Sequence, residues 1–169
     1  MTEQKDLPAD YLDCVSSLLD NQKVQSMRRW PHHLTVSCYD HSRNVSEMAY
    51  QIALHMGCDC HAAARAGLLH DFYLYAADDF GLNPYQQAMI HPIIALKNAR
   101  TLCPDLTDDE ADAIENHMWP VARHRPHCKV AVAVNIADKT CCFLEVAGVC
   151  KDRMKEHIPR LNTASSSDV

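Results

Sequence analysis

The sequence has little glycine and lacks a long apolar run. Only 4 of its 169 residues are glycine. Alternating runs of β-branched residues bounded by turn signals are also missing, so we expect few β-strands. No stretch approaches the roughly 18 apolar residues that a membrane-spanning helix needs. The opening, MTEQKDLPAD, is polar and acidic, so we expect no signal peptide and a cytoplasmic protein.

Positive charge is scarce as well. The 16 lysines and arginines are outnumbered by 22 acidic residues, for a formal net charge of -6. We therefore expect neither a nucleic-acid scaffold nor a membrane partner. The 9 cysteines are odd in number and do not have the spacings of a zinc ribbon or a secreted disulfide framework. Reduced thiols, as in the cytosol, are the expectation.

What the sequence does have is helical periodicity. Apolar residues recur at helical spacing in six segments, at 9–21, 40–56, 61–70, 86–102, 107–118 and 129–146. Asp40 or Ser42 is the predicted start of the second segment and Gly57 its stop, and Asp59 is the predicted cap of the third. Thr107, with Glu110 three residues later, is typical of a capping box. Asn83 and Pro84 are assigned to a loop.

These patterns predict an all-α fold. We expect one domain, a bundle of six or seven helices over residues 1–161, because a chain of 169 residues suits a single core. The last residues, 162–169, are small and polar, and we expect a flexible tail there.

Six residues of metal-binding type interrupt the apolar stripes, and each is predicted to face inward: His41, His70, Asp71, His91, His117 and Asp138. A single histidine on such a stripe is more often a core or capping residue, so only the occurrence of all six residues together indicates a metal site. A buried Asp138 is costly unless it is paired or binds a cation, and we expect its neighbour Lys139 to point away. Imidazoles and carboxylates suit iron, manganese or zinc. Six ligands fit two metals that share a carboxylate.

The order of these residues resembles the H…HD…H…H…D signature of the dinuclear HD-domain superfamily of metal-dependent phosphohydrolases. The resemblance covers about residues 38–145, and its sequence contexts are similar to a little-characterised bacterial branch: DHSRNVSEMA, AGLLHDFYLY, HPIIALKNA, ENHMWP and NIADKTCCFLE. It implies a helical bundle with a central site in which His70 and Asp71 are catalytic. One metal would be held by His41, His70, Asp71 and Asp138. Asp71 would bridge to a second, on His91 and His117.

The resemblance implies one or two divalent transition metals, with iron or manganese favoured over zinc, cobalt or nickel. It has one departure. Many such hydrolases carry a polar residue shortly after the His-Asp pair, whereas here Phe72, Tyr73, Leu74 and Tyr75 follow. The candidates for substrate binding are therefore basic residues elsewhere, which could equally form a solvated patch: Lys97, Arg123, His124, Arg125 and His127.

The leading hypothesis is hydrolysis of a small phosphoester or phosphoanhydride, for example a nucleotide, by metal-activated water. Tyr73, Tyr75 and Trp119 could stack on a nucleobase, although packing in the core or at its rim is favoured for each. Two alternatives stay open, namely a dinuclear-iron oxygenase and a degenerate nucleotide-sensing module.

Overall fold

The computed structural model describes residues 9–33 and 36–157. Within these residues there are seven α-helices: α1 (Ala9–Leu19), α2 (Gln22–Gln25), α3 (Cys38–Met56), α4 (Cys60–Leu69), α5 (Pro84–Leu102), α6 (Asp108–Glu115) and α7 (Lys129–His157). Two 3₁₀ turns and a small antiparallel hairpin complete them: Ser26–Arg29, Ala77–Phe80, β1 (Pro31–His33) and β2 (Val36–Ser37). The all-α prediction is confirmed. The tail predicted at 162–169 lies outside the described residues.

Several predicted helix ends are confirmed by their caps. Thr107 and Glu110 form a reciprocal capping box at the start of α6. The carboxylate of Asp59 accepts the Ala62 N–H at 2.9 Å and so begins α4. Gly57 ends α3 in the left-handed region, at φ 59°, where glycine is favoured because it has no Cβ.

Two predicted helix starts are wrong. α3 begins at Cys38, because the Ser37 hydroxyl accepts the backbone N–H of Asp40 at 3.1 Å. α5 begins at Pro84, with Asn83 as its cap. Proline is compatible with a first helical position, where its missing N–H would have no partner inside the helix, so the predicted loop residues start the helix instead.

The core lies around α3, which packs mainly against α4 and α7. The approach to α4 is close: a Cβ added to Gly67 would lie 2.8 Å from the Cα of Ser46. The Ser46 hydroxyl, buried at this contact, donates to the Ala64 carbonyl at 2.6 Å and accepts from the Tyr11 hydroxyl at 3.0 Å. Small residues on α4 therefore bring its carboxyl end, and the His-Asp pair that follows, into the centre.

Two other expectations concern cysteines and membranes. The eight cysteines whose side chains the structure describes are all free, as expected of reduced thiols. In the same part of the chain, no helix combines the length and apolar character that crossing a bilayer requires.

Candidate metal centre

Five different elements bring the six predicted residues to the centre of the bundle. Each of the six is at most 7% exposed. His41 lies in the first turn of α3, His91 within α5 and Asp138 within α7. His70 and Asp71 directly follow α4, and His117 follows α6. The predicted inward orientation is confirmed for all six.

Backbone carbonyls orient three of the histidines. Because a carbonyl can only accept, the Nδ1 atoms must donate to their partners: His70 to Gly67 at 2.7 Å, His91 to Gln87 at 2.8 Å and His117 to Ile114 at 2.8 Å. Each neutral imidazole then has an Nε2 lone pair that faces the centre, the tautomer that a metal-binding histidine adopts.

One group of donor atoms lies between α5 and α6. The Nε2 atoms of His91 and His117 are 2.9 Å apart, and Oδ1 of Asp71 is 3.2 Å and 3.7 Å from them. Donor atoms about 2.1 Å from one ion lie roughly 3.0–3.4 Å apart in octahedral or tetrahedral geometry. These three residues could therefore hold a metal ion.

A second group lies towards α3 and α7. Oδ1 of Asp138 is 3.2 Å from Nε2 of His41 and 3.8 Å from Nε2 of His70. Asp71 and His70 are also close, with 3.6 Å between Oδ2 and Nε2. Two further sets of donors close enough for one ion are His41 with Asp138 and Cys142, and His70 with His117 and Asp138.

Two buried atoms in the cluster lack a hydrogen-bond partner among the described residues, namely His70 Nε2 and Asp71 Oδ1. Leaving such a group unsatisfied in a protein interior costs about 1–3 kcal/mol, and more for a charged group. Divalent cations at the donor groups that contain them, His70 with His117 and Asp138, and Asp71 with His91 and His117, would satisfy both. The residues present therefore fit a transition metal in donor type, spacing and unmet coordination.

Burial and carboxylates set the protonation of the histidines in opposite directions. Burial disfavours the charged form of His41, but Asp138 and Glu145 overcome it and raise its pKa to about 9. The pKa of His91 is also raised, since Asp71 outweighs its burial. Burial lowers the pKa of His70. Burial and the neighbouring imidazoles lower that of His117 to about 3.

Both carboxylates of the cluster are anionic at neutral pH. Burial acts to raise their pKa values, but the surrounding imidazoles hold the pKa of Asp71 and of Asp138 well below the ordinary range. In the metal-free protein, His41 supplies a compensating proton, and the raised pKa of His91 favours a second one. A metal ion would replace those protons with its own charge.

Glu145 and His32 are among the residues at the site that were not found from the sequence. Glu145, two turns after Asp138 on α7, contacts Nδ1 of His41 at 3.0 Å, whereas Asp138 contacts Nε2 of the same ring. His32, on β1, contacts Oδ2 of Asp71 at 2.9 Å and stacks on the ring of His41, with 3.8 Å between centroids. The seven-residue spacing of Asp138 and Glu145 is a signal for one helix face. His32 precedes α3 and offers no comparable signal.

The expectation that Lys139 points away from Asp138 is wrong. Its Nζ lies 2.8 Å from Oδ2 of Asp138 and donates to the carbonyl of His117, also at 2.8 Å. Adjacent helix positions face different directions, but the flexible lysine stem can curl back to its neighbour.

A cavity of about 570 Å³ opens onto the cluster. Its floor contains residues of the cluster and of its surroundings: His32, Asp71, His91, His117, Asp138, Lys139 and Cys142. The remaining lining residues are Tyr73, Pro84, Gln87, Ala88, Met118 and Val121. This is the size of an ordinary small-molecule site.

The structure does not bring the predicted substrate-binding residues into this cavity. Lys97, Arg123, His124 and Arg125 are exposed, and none of them lines it. His127 is used elsewhere, since its Nδ1 and backbone N–H contact the carboxylate of Asp112 at 2.9 Å and 2.8 Å, just before α7.

The three aromatic candidates differ in position. Tyr73 is buried, lines the cavity and has its hydroxyl 3.0 Å from Sγ of Cys38. Tyr75 donates to Oε1 of Gln87 at 2.9 Å. Trp119 is 43% exposed and does not line the cavity. These positions fit the favoured core and rim packing for Tyr73 and Tyr75.

Buried imidazoles and carboxylates at the centre of a helical bundle define a helical protein with a group of residues that could hold a metal. A family model described as HD domain matches residues 38–141, more than half of the chain, so the protein belongs to the HD domain family. Members of this family are usually metal-dependent phosphohydrolases. Searches of the curated proteins and of the solved structures give no significant match.

Proposed function

We propose that the protein is a metal-dependent phosphohydrolase that cleaves a small phosphoester or phosphoanhydride. The observation that supports this most directly is the buried cluster, in which His70 Nε2 and Asp71 Oδ1 face neighbouring donors without a hydrogen bond. Family membership supports hydrolysis as the chemistry. A nucleotide is one candidate substrate.

In this proposal the site is dinuclear. One metal would be held by His41, His70, Asp71 and Asp138, and a second by His91 and His117, with Asp71 able to serve both. Bound metals would supply a water of lowered pKa and positive charge for the phosphoryl oxygens. Iron or manganese is the favoured identity, and zinc, cobalt or nickel would also suit this donor set.

The chain's own residues orient the donors and keep them in the correct protonation state. The carbonyls of Gly67, Gln87 and Ile114 hold the three Nδ1 protons, so that each Nε2 faces inward. Glu145 holds His41 in the same way, because its carboxylate accepts from Nδ1 and leaves Nε2 facing Asp138. Mutation of such partners usually lowers metal affinity or activity by about 10- to 100-fold.

Asp71 is the residue on which the proposal depends most. Its Oδ1 faces His91 and His117, and its Oδ2 lies between His32 and His70. Since its carboxylate stays ionised at neutral pH, it can serve both groups of donors. His32 positions this carboxylate from the side of the hairpin, in addition to the six predicted residues.

The test is a phosphate-release screen of the protein as purified, over alkyl and aryl phosphates, nucleotides and pyrophosphate. We expect metal-dependent release from at least one compound and none from Asp71→Asn, with the exposed Asp79→Asn as the matched control. Consumption of O₂ by an iron-loaded protein without phosphate release would instead indicate the oxygenase. Tight nucleotide binding without turnover would indicate the sensing module.

A further inference from the structure

The cavity beside the cluster is polar at its floor and mainly apolar on its wall. Above the cluster, the wall is formed by Tyr73, Pro84, Ala88, Met118 and Val121, with Gln87 as its polar residue. Val121 is 51% exposed, although it borders a cavity that a ligand could fill. An apolar wall above a charged floor fits a ligand with one polar end.

Among the described side chains that line this cavity, permanent positive charge comes from one residue. Lys139 is the single lysine or arginine among the described residues that line it. Its ammonium group has three N–H donors, of which Asp138 and the His117 carbonyl accept two. The third can meet an anionic group that sits directly over the cluster.

The wall offers few partners for a sugar, a base or a second phosphate. Oε1 of Gln87 already accepts from the Tyr75 hydroxyl. Hydroxyls, ring nitrogens or further phosphates that left water here would lie against apolar groups, which is unfavourable. The basic residues Arg123 and Arg125 do not line the cavity.

We propose that this cavity binds a small molecule with a single anionic group at the floor and an apolar remainder against the wall. Combined with the proposed function, on which this step rests, the substrate class is an alkyl or aryl monophosphate rather than a polyphosphate or a nucleotide. Lys139 contacts the anionic group, and Met118 and Val121 contact the apolar part.

The experiment measures binding without hydrolysis. Methyl-, butyl- and hexylphosphonate have a phosphoryl group but no ester bond, and calorimetry would give their dissociation constants with the metal-loaded protein. Each methylene that leaves water completely should tighten binding by roughly fourfold. Hexylphosphonate has five more methylenes than methylphosphonate, so we expect it to bind up to about a thousandfold tighter on the same basis. Equal affinities along the series, or tighter binding of AMP or pyrophosphate, would overturn the proposal.

Two pairs of variants assign the ends of the ligand. Val121→Ser should weaken hexylphosphonate several-fold and leave methylphosphonate unchanged, whereas Val146→Ser, at an exposed position on α7 that does not line the cavity, should change neither. Lys139→Met should weaken all three phosphonates about equally, with Lys23→Met as the exposed control. If Lys139→Met changed only the dependence on chain length, the assignment of the anionic end would be wrong.

This binding series is independent of phosphate release. A protein that binds longer phosphonates more tightly but releases no phosphate from any ester would retain the cavity assignment and lose the proposed hydrolysis. Phosphate release with a preference for nucleotides would retain hydrolysis and reject the cavity assignment.

Discussion

His41 on α3 and His91 on α5 lie on opposite sides of the buried cluster and are held differently. The α3–α7 half consists of His41, Asp138 and Glu145, and its imidazole lies between two carboxylates at 3.0–3.2 Å. The α5–α6 half consists of His91 and His117, whose Nε2 atoms are 2.9 Å apart and whose Nδ1 atoms donate to carbonyls. Its nearby carboxylate is Asp71, at 3.2 Å and 3.7 Å.

The difference indicates unequal affinity for metal. A divalent ion in the α3–α7 half would meet two carboxylates, Asp71 and Asp138. An ion in the α5–α6 half would meet Asp71 alone and two neutral imidazoles. Because anionic ligands bind a hard or borderline cation more strongly, we expect the α3–α7 half to keep its metal longer. The α5–α6 half should lose its metal first when a chelator is added.

The largest expected effect comes from removing one histidine from each half. His91→Ala should remove about one metal equivalent and retain the other, whereas His41→Ala should lower the occupancy of both, since Asp71 is shared. Metal analysis of the purified variants measures this, and the exposed His61→Ala is the control. Equal loss of metal from the two variants would contradict the inference that the two halves bind metal with unequal affinity.

The next effect concerns the orientation of His41. Glu145→Gln keeps the size of the side chain but removes the charge beside Nδ1 of His41. We expect metal affinity in the α3–α7 half to fall by about 10- to 100-fold, as measured by competition with a fluorescent chelator. The exposed Glu115→Gln should leave affinity unchanged. If Glu145→Gln bound metal as tightly as the wild type, the contact between Glu145 and His41 would have no role in metal binding.

Metal binding should also depend on pH, because the pKa values of His41 in one half and His91 in the other are both raised. His41 must lose its proton to bind metal, and its pKa in the metal-free protein is about 9. Affinity should therefore rise by up to roughly tenfold per pH unit from neutral pH towards that value, and then level off. His117, with a pKa of about 3, contributes no such dependence in this range. Chelator competition at several pH values measures the slope.

The raised pKa of His41 makes the stability of the metal-free protein change with pH in the opposite direction to metal affinity. A histidine with a raised folded-state pKa stabilises the fold fully below its ordinary pKa, and this contribution is lost as pH rises through the folded value. The metal-free protein should therefore lose stability as the pH approaches 9, while the metal-loaded protein gains affinity. Denaturation of both forms across this range measures it. If the stabilities of the two forms changed with pH in parallel, the pH dependence could not be assigned to His41.

The smallest effect tests the backbone between the halves. Gly67→Ala would place a Cβ 2.8 Å from the Ser46 Cα and should destabilise the fold by about 1–3 kcal/mol. Gly148→Ala, where nothing lies within 4 Å of the added Cβ, should stabilise α7 by about 0.5–1 kcal/mol. Chemical denaturation distinguishes the two. Because the Gly67 carbonyl orients His70, only Gly67→Ala should also weaken metal binding.

The helices and the six clustered residues could be predicted because their signals are local or repeat along one helix face. Apolar periodicity identified α1 and α3–α7, and chemically unusual residues on those faces identified the cluster. Helix starts at Cys38 and Pro84 were missed because neighbouring residues carry equally good capping signals. Those errors shift where a helix begins but do not change which of its residues face the core.

The remaining parts of the site depend on tertiary structure. His32 reaches Asp71 only because the hairpin folds back beside α3, and no local pattern predicts that contact. Lys139 was assigned to the wrong side because helix position fixes the Cβ direction and not the end of a long stem. The basic residues Arg123 and Arg125 have suitable chemistry, but the path of the chain after His117 leaves them exposed and outside the cavity.

The metal content of the protein purified without chelator, compared with that of Asp71→Ala, tests the central claim most directly. Asp71 contacts both halves, so the account predicts up to two equivalents of transition metal in the wild type and almost none in the variant. Circular dichroism would establish that the variant is folded. Equal metal content in the two folded proteins, or a wild type without metal after incubation with iron or manganese, would contradict the assignment of the cluster as a metal centre.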